Sequence, residues 1–307
     1  MGARPSCAAA ASAEAPAPAA GKSELGIALA QALGGEVVNA DSMQLYRGMD
    51  VGTAKLTPAE RQGIPHHLLD VWDVRQPTTV VAYQQLCRAM LDDLLARGVT
   101  PVLVGGSGLY LRAALDRLEF PGTDPTLRSE LEAALAADGP GPLHARLAAL
   151  DPAAAGRMQP SNGRRVVRAL EVVLLTGSMP GAMTSYDPES DAVYDATWLG
   201  VDRPDLPDWI ATRVDRMWAG GLVEEVAGLD GLREGVTARR ALGYAQVLSM
   251  LDGQLDEQQA RERTITATRR FARRQRSWFR RDPRITWLSE PTAERALDVM
   301  AARNAPG

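Results

Sequence analysis

The sequence is poor in the softer kinds of chemistry. Its 307 residues include 2 cysteines and 3 histidines. Cys7 and Cys87 lie far from each other and from the histidines, which excludes a disulfide framework and a Cys/His zinc site, since both need closely spaced ligands. Catalysis must rest on other groups. Long apolar runs are missing too: nothing approaches the roughly 18 residues of a membrane span. The one signal-like stretch, Ala8 to Ala20, is interrupted by Glu14, Pro16 and Pro18, so the expectation is a cytoplasmic protein with no membrane partner. Lysine is the third scarcity. The 34 basic residues include just 2 lysines, Lys22 and Lys55. An ammonium is a compact point charge and a guanidinium a wide planar fork, so a lysine kept between Gly21 and Ser23 points to a cramped phosphate site, with chance as the alternative.

What is present is enough apolar residue, 45%, to bury a substantial core in one large domain with an insertion or in two smaller ones. The formal net charge of -4 argues against a uniformly basic nucleic-acid binder but leaves room for local patches. Residues 1–20 are Ala/Pro-rich with no strand or helix pattern, and disorder is expected there. From Gly21 onward helices and strands alternate. Leu25, Ala28, Leu29 and Ala32 mark a helix over Glu24 to Leu33, ended by Gly34-Gly35. A short strand from Glu36 to Ala40 delivers Asp41 at its carboxyl end; a helix over Val81 to Arg97 precedes a strand at Pro101 to Val104 and the turn Gly105-Gly106-Ser107-Gly108. This alternation predicts an α/β fold with a parallel sheet, in which ligands sit at the carboxyl ends of strands. The expected organisation is a core of residues 21–120 and 187–290, a helical insertion at 121–186, and a tail at 291–307.

Gly21-Lys22-Ser23 opening a helix is the second half of a P-loop, G-x-x-x-x-G-K-[ST], whose amides wrap a phosphate while the lysine adds charge and the hydroxyl binds Mg²⁺. The first glycine would fall at position 16, which is Pro16. Arg261 to Arg284 holds ten arginines against Glu262 and Asp282. A helix would align Arg269, Arg273, Arg276 and Arg280 on one stripe and Arg270, Arg274 and Arg281 on another, with Phe271 and Trp278 inward. Such a surface suits nucleic-acid phosphates; a solvated face is the alternative. His66 and His67 are adjacent and point different ways, which favours packing over metal binding.

Asp41-Ser42-Met43-Gln44-Leu45-Tyr46, running into Gly48-Met49-Asp50-Val51-Gly52-Thr53-Ala54-Lys55, resembles the D-S-x-Q-x-Y-x-x-M-D-I-G-T-A-K signature of the tRNA dimethylallyltransferases. Matching blocks follow at Pro65 to Asp70, Gly105 to Tyr110, Arg165 to Glu171, Ala241 to Tyr244 and Arg273 to Arg280. The resemblance implies a P-loop-type α/β core with an all-helical insertion for tRNA, and transfer of a prenyl group from dimethylallyl diphosphate to the exocyclic amine of an adenosine beside the tRNA anticodon. It implies Asp41 as general base and Ser107 lining the channel where the substrates meet. Gly21, Lys22, Ser23 and Arg213 or Arg216 would bind diphosphate, with Mg²⁺ on Ser23. The tRNA anticodon stem-loop would be met by Asp41, Ser42, Met43, Gln44, Arg128, Arg164, Arg165, Arg168, Arg273 and Arg274. A monomer is expected, with no redox cofactor or zinc. Rival readings are a P-loop kinase of a small metabolite, a prenyltransferase of free adenosine nucleotides, and a tRNA-binding protein without catalysis, which the departure at Pro16 keeps open.

Overall fold

A computed structural model describes residues 6–12, 21–179, 192–202 and 205–304. The chain divides into two compact units, one of Met1–Asp116 with Val193–Gly307 and one of Arg117–Ala192.

The first unit is built on six strands, β1 (Ser6–Ser12), β2 (Glu36–Asn39), β3 (His66–His67), β4 (Pro101–Gly105), β5 (Asp195–Val201) and β6 (Ile285–Leu288). They run in the order β3-β2-β4-β1-β5-β6, and every pairing is parallel. One of these strands and one helix correct the sequence-based expectation. Residues 6–12 are not disordered: they form the central strand, paired with β4 from Ala8↔Val102 and with β5 from Ser6↔Asp195. Alanine has a weak intrinsic preference for strands. That preference is set largely by context, and a strand flanked on both sides draws its order from two hydrogen-bonded ladders. The tail expected at 291–307 is instead a helix over Ala293–Asn304. Ala296 is fully buried, and Leu297, Val299 and Met300 pack with Leu25 and Leu29 of the first helix.

That first helix, α1 (Lys22–Leu33), starts at Gly21 with φ 81° and ends at Gly34 with φ 60°, both conformations that suit glycine. α2 (Val80–Ala96) is capped by the Thr79 hydroxyl on the Ala82 amide and buries Tyr83, Cys87, Leu91 and Leu94 in a core shared with Val38, Leu103 and Trp198. α3 (Gly108–Leu115) follows β4.

The named elements of the second unit are all helices, α4 (Pro125–Asp138), α5 (Pro140–Leu150), α6 (Pro152–Gly156) and α7 (Gly163–Thr176). Prolines in the first turns of α4, α5 and α6 cost nothing, because those amides have no helical acceptor. Leu131, Leu143, Leu147, Val166, Val167 and Leu170 form its core. Beside them Glu171 of α7 is fully buried and accepts hydrogen bonds from the Thr123 hydroxyl at 2.5 Å, the Asp124 amide, Arg128 and Arg168.

After β5 the first unit continues with α8 (Leu206–Ala219), α9 (Leu222–Gly228), α10 (Tyr244–Leu251), the long α11 (Glu257–Phe279) and, after β6, α12 (Ala293–Asn304). Tyr46 and Met49 of the segment after β2 pack with Trp218, Leu222 and Tyr244 of this helical group in a second core. Among the described residues, no helix is long and apolar enough to cross a membrane.

Candidate active site

The parallel sheet collects the candidate residues at its carboxyl edge. Lys22 opens α1, Asp41 stands two residues beyond β2, and Ser107 two residues beyond β4. The ends of β2 and β4 are in close contact: the Ala40 amide donates to the Val104 carbonyl at 2.8 Å. A Cβ on Gly105 would lie 2.4 Å from the Ala40 oxygen, so only glycine fits there. Lys22 is buried, at 4% exposure, beside the first amides of its helix. Ser23 is half-buried next to it. The rest of the phosphate loop expected from sequence, with Pro16, lies outside the described residues.

Asp41 is held by its own chain. Its amide donates to Asn39 Oδ1 at 2.9 Å, its carbonyl accepts from Asn39 Nδ2 at 3.0 Å, and its Oδ1 accepts the Met43 amide at 2.9 Å. Asn39 is tied in turn to the Leu68 carbonyl, and its own carbonyl accepts from the Tyr83 hydroxyl at 3.0 Å. The carboxylate therefore has one oxygen committed to the backbone and the other without a hydrogen bond to any described residue, at a residue 5% exposed. The phenols of Tyr83 and Tyr110, whose ring centroids are 4.7 Å apart, have pKa values raised first by burial and further by the negative charge of Asp41.

Ser42, Met43 and Gln44 are half-buried in the turn that follows. Gln44 Nε2 donates to the Thr53 and Ala54 carbonyls at 3.1 and 3.4 Å. Ser107 caps α3 through its carbonyl, which accepts the Tyr110 and Leu111 amides, while its side chain makes no capping bond. The turn carrying it is fixed from α11: Gln275 Nε2 donates to the Gly106 carbonyl at 2.6 Å, and Trp278 lies so close to Gly108 that a Cβ there would fall 2.1 Å from its ring. Neither contact was foreseen from sequence, though Gln275 is the one amide within a run of arginines.

The arginines separate into kinds. Arg213 is buried, with its guanidinium 5.7 Å from the Trp209 ring centroid, whereas Arg216, one turn on, is exposed. On α11 and just beyond it, the run expected to be nearly free of acidic partners finds several from distant segments. Arg276 and Arg280 pair with Asp202 at the end of β5, Arg261 with Glu257 and Asp215, and Arg284 with Asp116 and Asp282. Arg273 and Arg274 are exposed and, with Arg263, Arg270 and Arg281, have no carboxylate partner among the described residues. In the second unit, Arg128 and Arg168 are committed to Glu171, at 2.5 and 2.6 Å. Arg164 and Arg165 are exposed in the first turn of α7. The adjacent histidines make structural contacts: His66 Nδ1 contacts the Ile64 carbonyl and His67 Nε2 contacts Glu36 at 2.5 Å.

Residues 44–282 match the family model for IPP transferase. The chain belongs to that family. Its relatives include the tRNA dimethylallyltransferase of Streptomyces avermitilis, 63% identical over 279 residues, 90% of this chain and 88% of that protein. The tRNA dimethylallyltransferase of Salinispora arenicola is 60% identical over 92% of this chain and 83% of its own length. Among solved structures, the tRNA isopentenylpyrophosphate transferase of Bacillus halodurans superposes with a TM-score of 0.67 at 36% identity, covering 97% of this chain and 94% of that one. A eukaryotic dimethylallyltransferase acting on tRNA superposes with a TM-score of 0.77 at 26% identity, covering 97% and 77%. The family match spans the Gln44 turn, the Ser107 turn, the helical unit and α11 together, so the fold and its inserted unit are family features.

Proposed function

We propose that the chain transfers the dimethylallyl group of dimethylallyl diphosphate to the exocyclic amine of the adenosine 3′-adjacent to the tRNA anticodon, acting as a cytoplasmic monomer. The single observation that carries the reading is the state of Asp41: a carboxylate buried at the carboxyl edge of the sheet, oriented by Asn39 and the Met43 amide, with one oxygen left to accept a proton. The amine lone pair of adenine is delocalised into its ring, so attack benefits from a base that accepts the proton as the new carbon–nitrogen bond forms. The carbon–oxygen bond to diphosphate breaks in the same exchange, and the charge left on the diphosphate is met by Lys22, the first amides of α1 and Arg213. Arg216, being exposed, is better placed to meet RNA or solvent.

Mg²⁺ fits the donors available. Among the described residues no cluster of three or more Asp, Glu, His or Cys side chains is arranged to hold a metal, and Mg²⁺ characteristically takes only one or two protein oxygens, leaving its other positions to phosphate and water. The Ser23 hydroxyl beside Lys22 is the oxygen that would hold it, and the ion would neutralise diphosphate charge. The adenosine has to leave the anticodon-loop stack to reach a buried carboxylate, as base-modifying enzymes require. Ser107 would line the passage where the two substrates meet, with Ser42, Met43 and Gln44 against the target base. Arg164, Arg165, Arg273 and Arg274, exposed and without a carboxylate partner among the described residues, suit tRNA phosphates; Arg128 and Arg168 can reach tRNA only with the part of each guanidinium left open by Glu171 and, for Arg168, by the Pro121 and Gly122 carbonyls.

The test is mass analysis of nucleosides from tRNA incubated with the protein, dimethylallyl diphosphate and Mg²⁺. Adenosine heavier by one five-carbon unit is the expected product. Unmodified tRNA that nevertheless binds would instead make the chain a binding protein whose altered phosphate loop at Pro16 has lost the donor.

A further inference from the structure

The segment between β2 and β3 carries a second carboxylate-centred network that the transfer chemistry does not use. Glu225 of α9 reaches across to three consecutive amides: its Oε2 accepts from Asp50 at 3.0 Å and Val51 at 2.7 Å, and its Oε1 accepts from Gly52 at 3.2 Å. The Tyr244 hydroxyl, at the start of α10, donates to the same Oε1. Tyr244 is fully buried, and its phenol pKa is pushed far up by burial and by the Glu225 charge, so it remains a donor. Gly52 has no room for a side chain, since a Cβ would lie 2.3 Å from the Tyr244 ring. The far end of the loop is stapled by Lys55, whose Nζ donates to the Tyr46 carbonyl and to Asp50 and Asp70 at 2.5 and 2.7 Å.

The carbonyls of the next two residues, Thr53 and Ala54, are those that accept from Gln44 Nε2. With Nε2 engaged inside the loop, the polar side-chain atom of Gln44 without a partner among the described residues is Oε1, an acceptor. Gln44 lies three residues beyond Asp41, in the turn that Asp41 Oδ1 itself closes. A base bearing an exocyclic amine offers hydrogens to such acceptors. One bearing a carbonyl in that place offers only lone pairs, and burying an unmatched polar group is costly.

We propose that Glu225, with Tyr244, is a positioning residue for recognition of the target base: it grips the Asp50–Gly52 amides so that the Thr53 and Ala54 carbonyls hold the Gln44 amide with its oxygen toward the substrate. The inference rests on the proposed transfer to tRNA. Glu225→Gln keeps size and shape but turns an amide N–H₂ toward backbone donors. Tyr244→Phe removes only the hydroxyl and leaves the ring on Gly52. Losing one hydrogen bond to a charged group predicts a rise of about 10-fold or more in KM for tRNA in Glu225→Gln, a smaller rise in Tyr244→Phe, and an unchanged KM for dimethylallyl diphosphate.

A double-mutant cycle with Gln44→Ala supplies the readout that a merely structural role would not move. If Glu225 acts through Gln44, the two substitutions are non-additive in KM for tRNA, the second costing little once the first is made. A destabilised control, Leu94→Ala in the core under α2, calibrates loss of stability alone. Additive effects in the cycle, or a parallel rise in KM for both substrates as in the control, would overturn the proposal. Should Glu225→Gln fail to fold, the cycle with Tyr244→Phe decides it. Equilibrium binding of the anticodon stem-loop gives the same cycle without turnover, so the clamp can fail while the transfer reaction stands, and the reverse.

Discussion

Asp41 and Glu171 are both buried carboxylates, and their partners give them opposite uses. Asp41 spends one oxygen on its own turn and keeps the other open, whereas Glu171 receives a hydroxyl, an amide and two guanidinium groups. Changing Asp41 to Asn preserves the acceptor for the Met43 amide and removes the base, so turnover should fall by roughly 100-fold to 10,000-fold with tRNA affinity little changed. Single-turnover rates and tRNA binding measured side by side check this. Recovery of turnover at high Mg²⁺, or weakened donor binding, would make Asp41 a metal holder instead. For Glu171, burial raises the carboxyl pKa, but the hydrogen bonds from Arg128, Thr123 and Arg168 outweigh it and hold the group at about 2, below its ordinary 4.5. A depressed folded-state value means stabilisation present above pH 4.5 and lost as pH falls toward 2, amounting to at most about 3 kcal/mol. Glu171→Gln should therefore lower the stability of residues 125–176 at neutral pH and flatten their acid dependence, as amide exchange across α4 to α7 would register. An unaltered exchange profile at both pH values would remove Glu171 from the stability of that unit.

At the scale of elements, α11 is where sequence and structure differ most usefully. Ten arginines against two acids look like one basic surface, yet Asp202, Asp116 and Asp215 arrive from elsewhere in the chain and sort them into structural and exposed sets. Replacing Arg273 and Arg274 by alanine should reduce the slope of log affinity for tRNA against log salt by about two units, at roughly 0.9 per phosphate contact. Replacing Arg276 and Arg280 should leave the slope nearer its original value and lower thermal stability instead, because Asp202 loses its partners. If both pairs change the slope alike, the sorting has no bearing on tRNA. What the sequence made legible were features carried by local pattern: the helix at Lys22, the strand that delivers Asp41, the Ser107 turn, the helical insertion. What it hid was set by distance along the chain. Glu225 meets Asp50 to Gly52, Gln275 meets Gly106, and an alanine-rich strand becomes central only because β4 and β5 flank it. The signals for these were faint: an uncharged Gln within an arginine run, and a Gly at position 52 whose turn has no positive φ to require it.

Over the whole molecule, an all-parallel sheet forbids hairpins, so every pairing closes over a long stretch of chain. β1 has the longest reach, meeting β4 at Ala8↔Val102 and β5 at Ser6↔Asp195, with the helical unit lying between those two strands in sequence. A ribosome adding about 5 to 20 residues per second would leave on the order of 10 to 40 s between the appearance of β1 and that of β5. During that interval the strand at the centre of the finished sheet is an open edge, with a row of amides and carbonyls available to any passing strand. Birth of this protein should thus be its most hazardous moment. Ribosome-bound chains halted before Asp195 should crosslink to chaperones through residues 6–12, and chains halted beyond Leu288 should not; equal crosslinking at both lengths would mean that β1 is sheltered by some other route. The waiting ends only when β5 emerges, so a substitution that slows folding of the intervening helices would show itself first as lost yield, before any change in the finished enzyme.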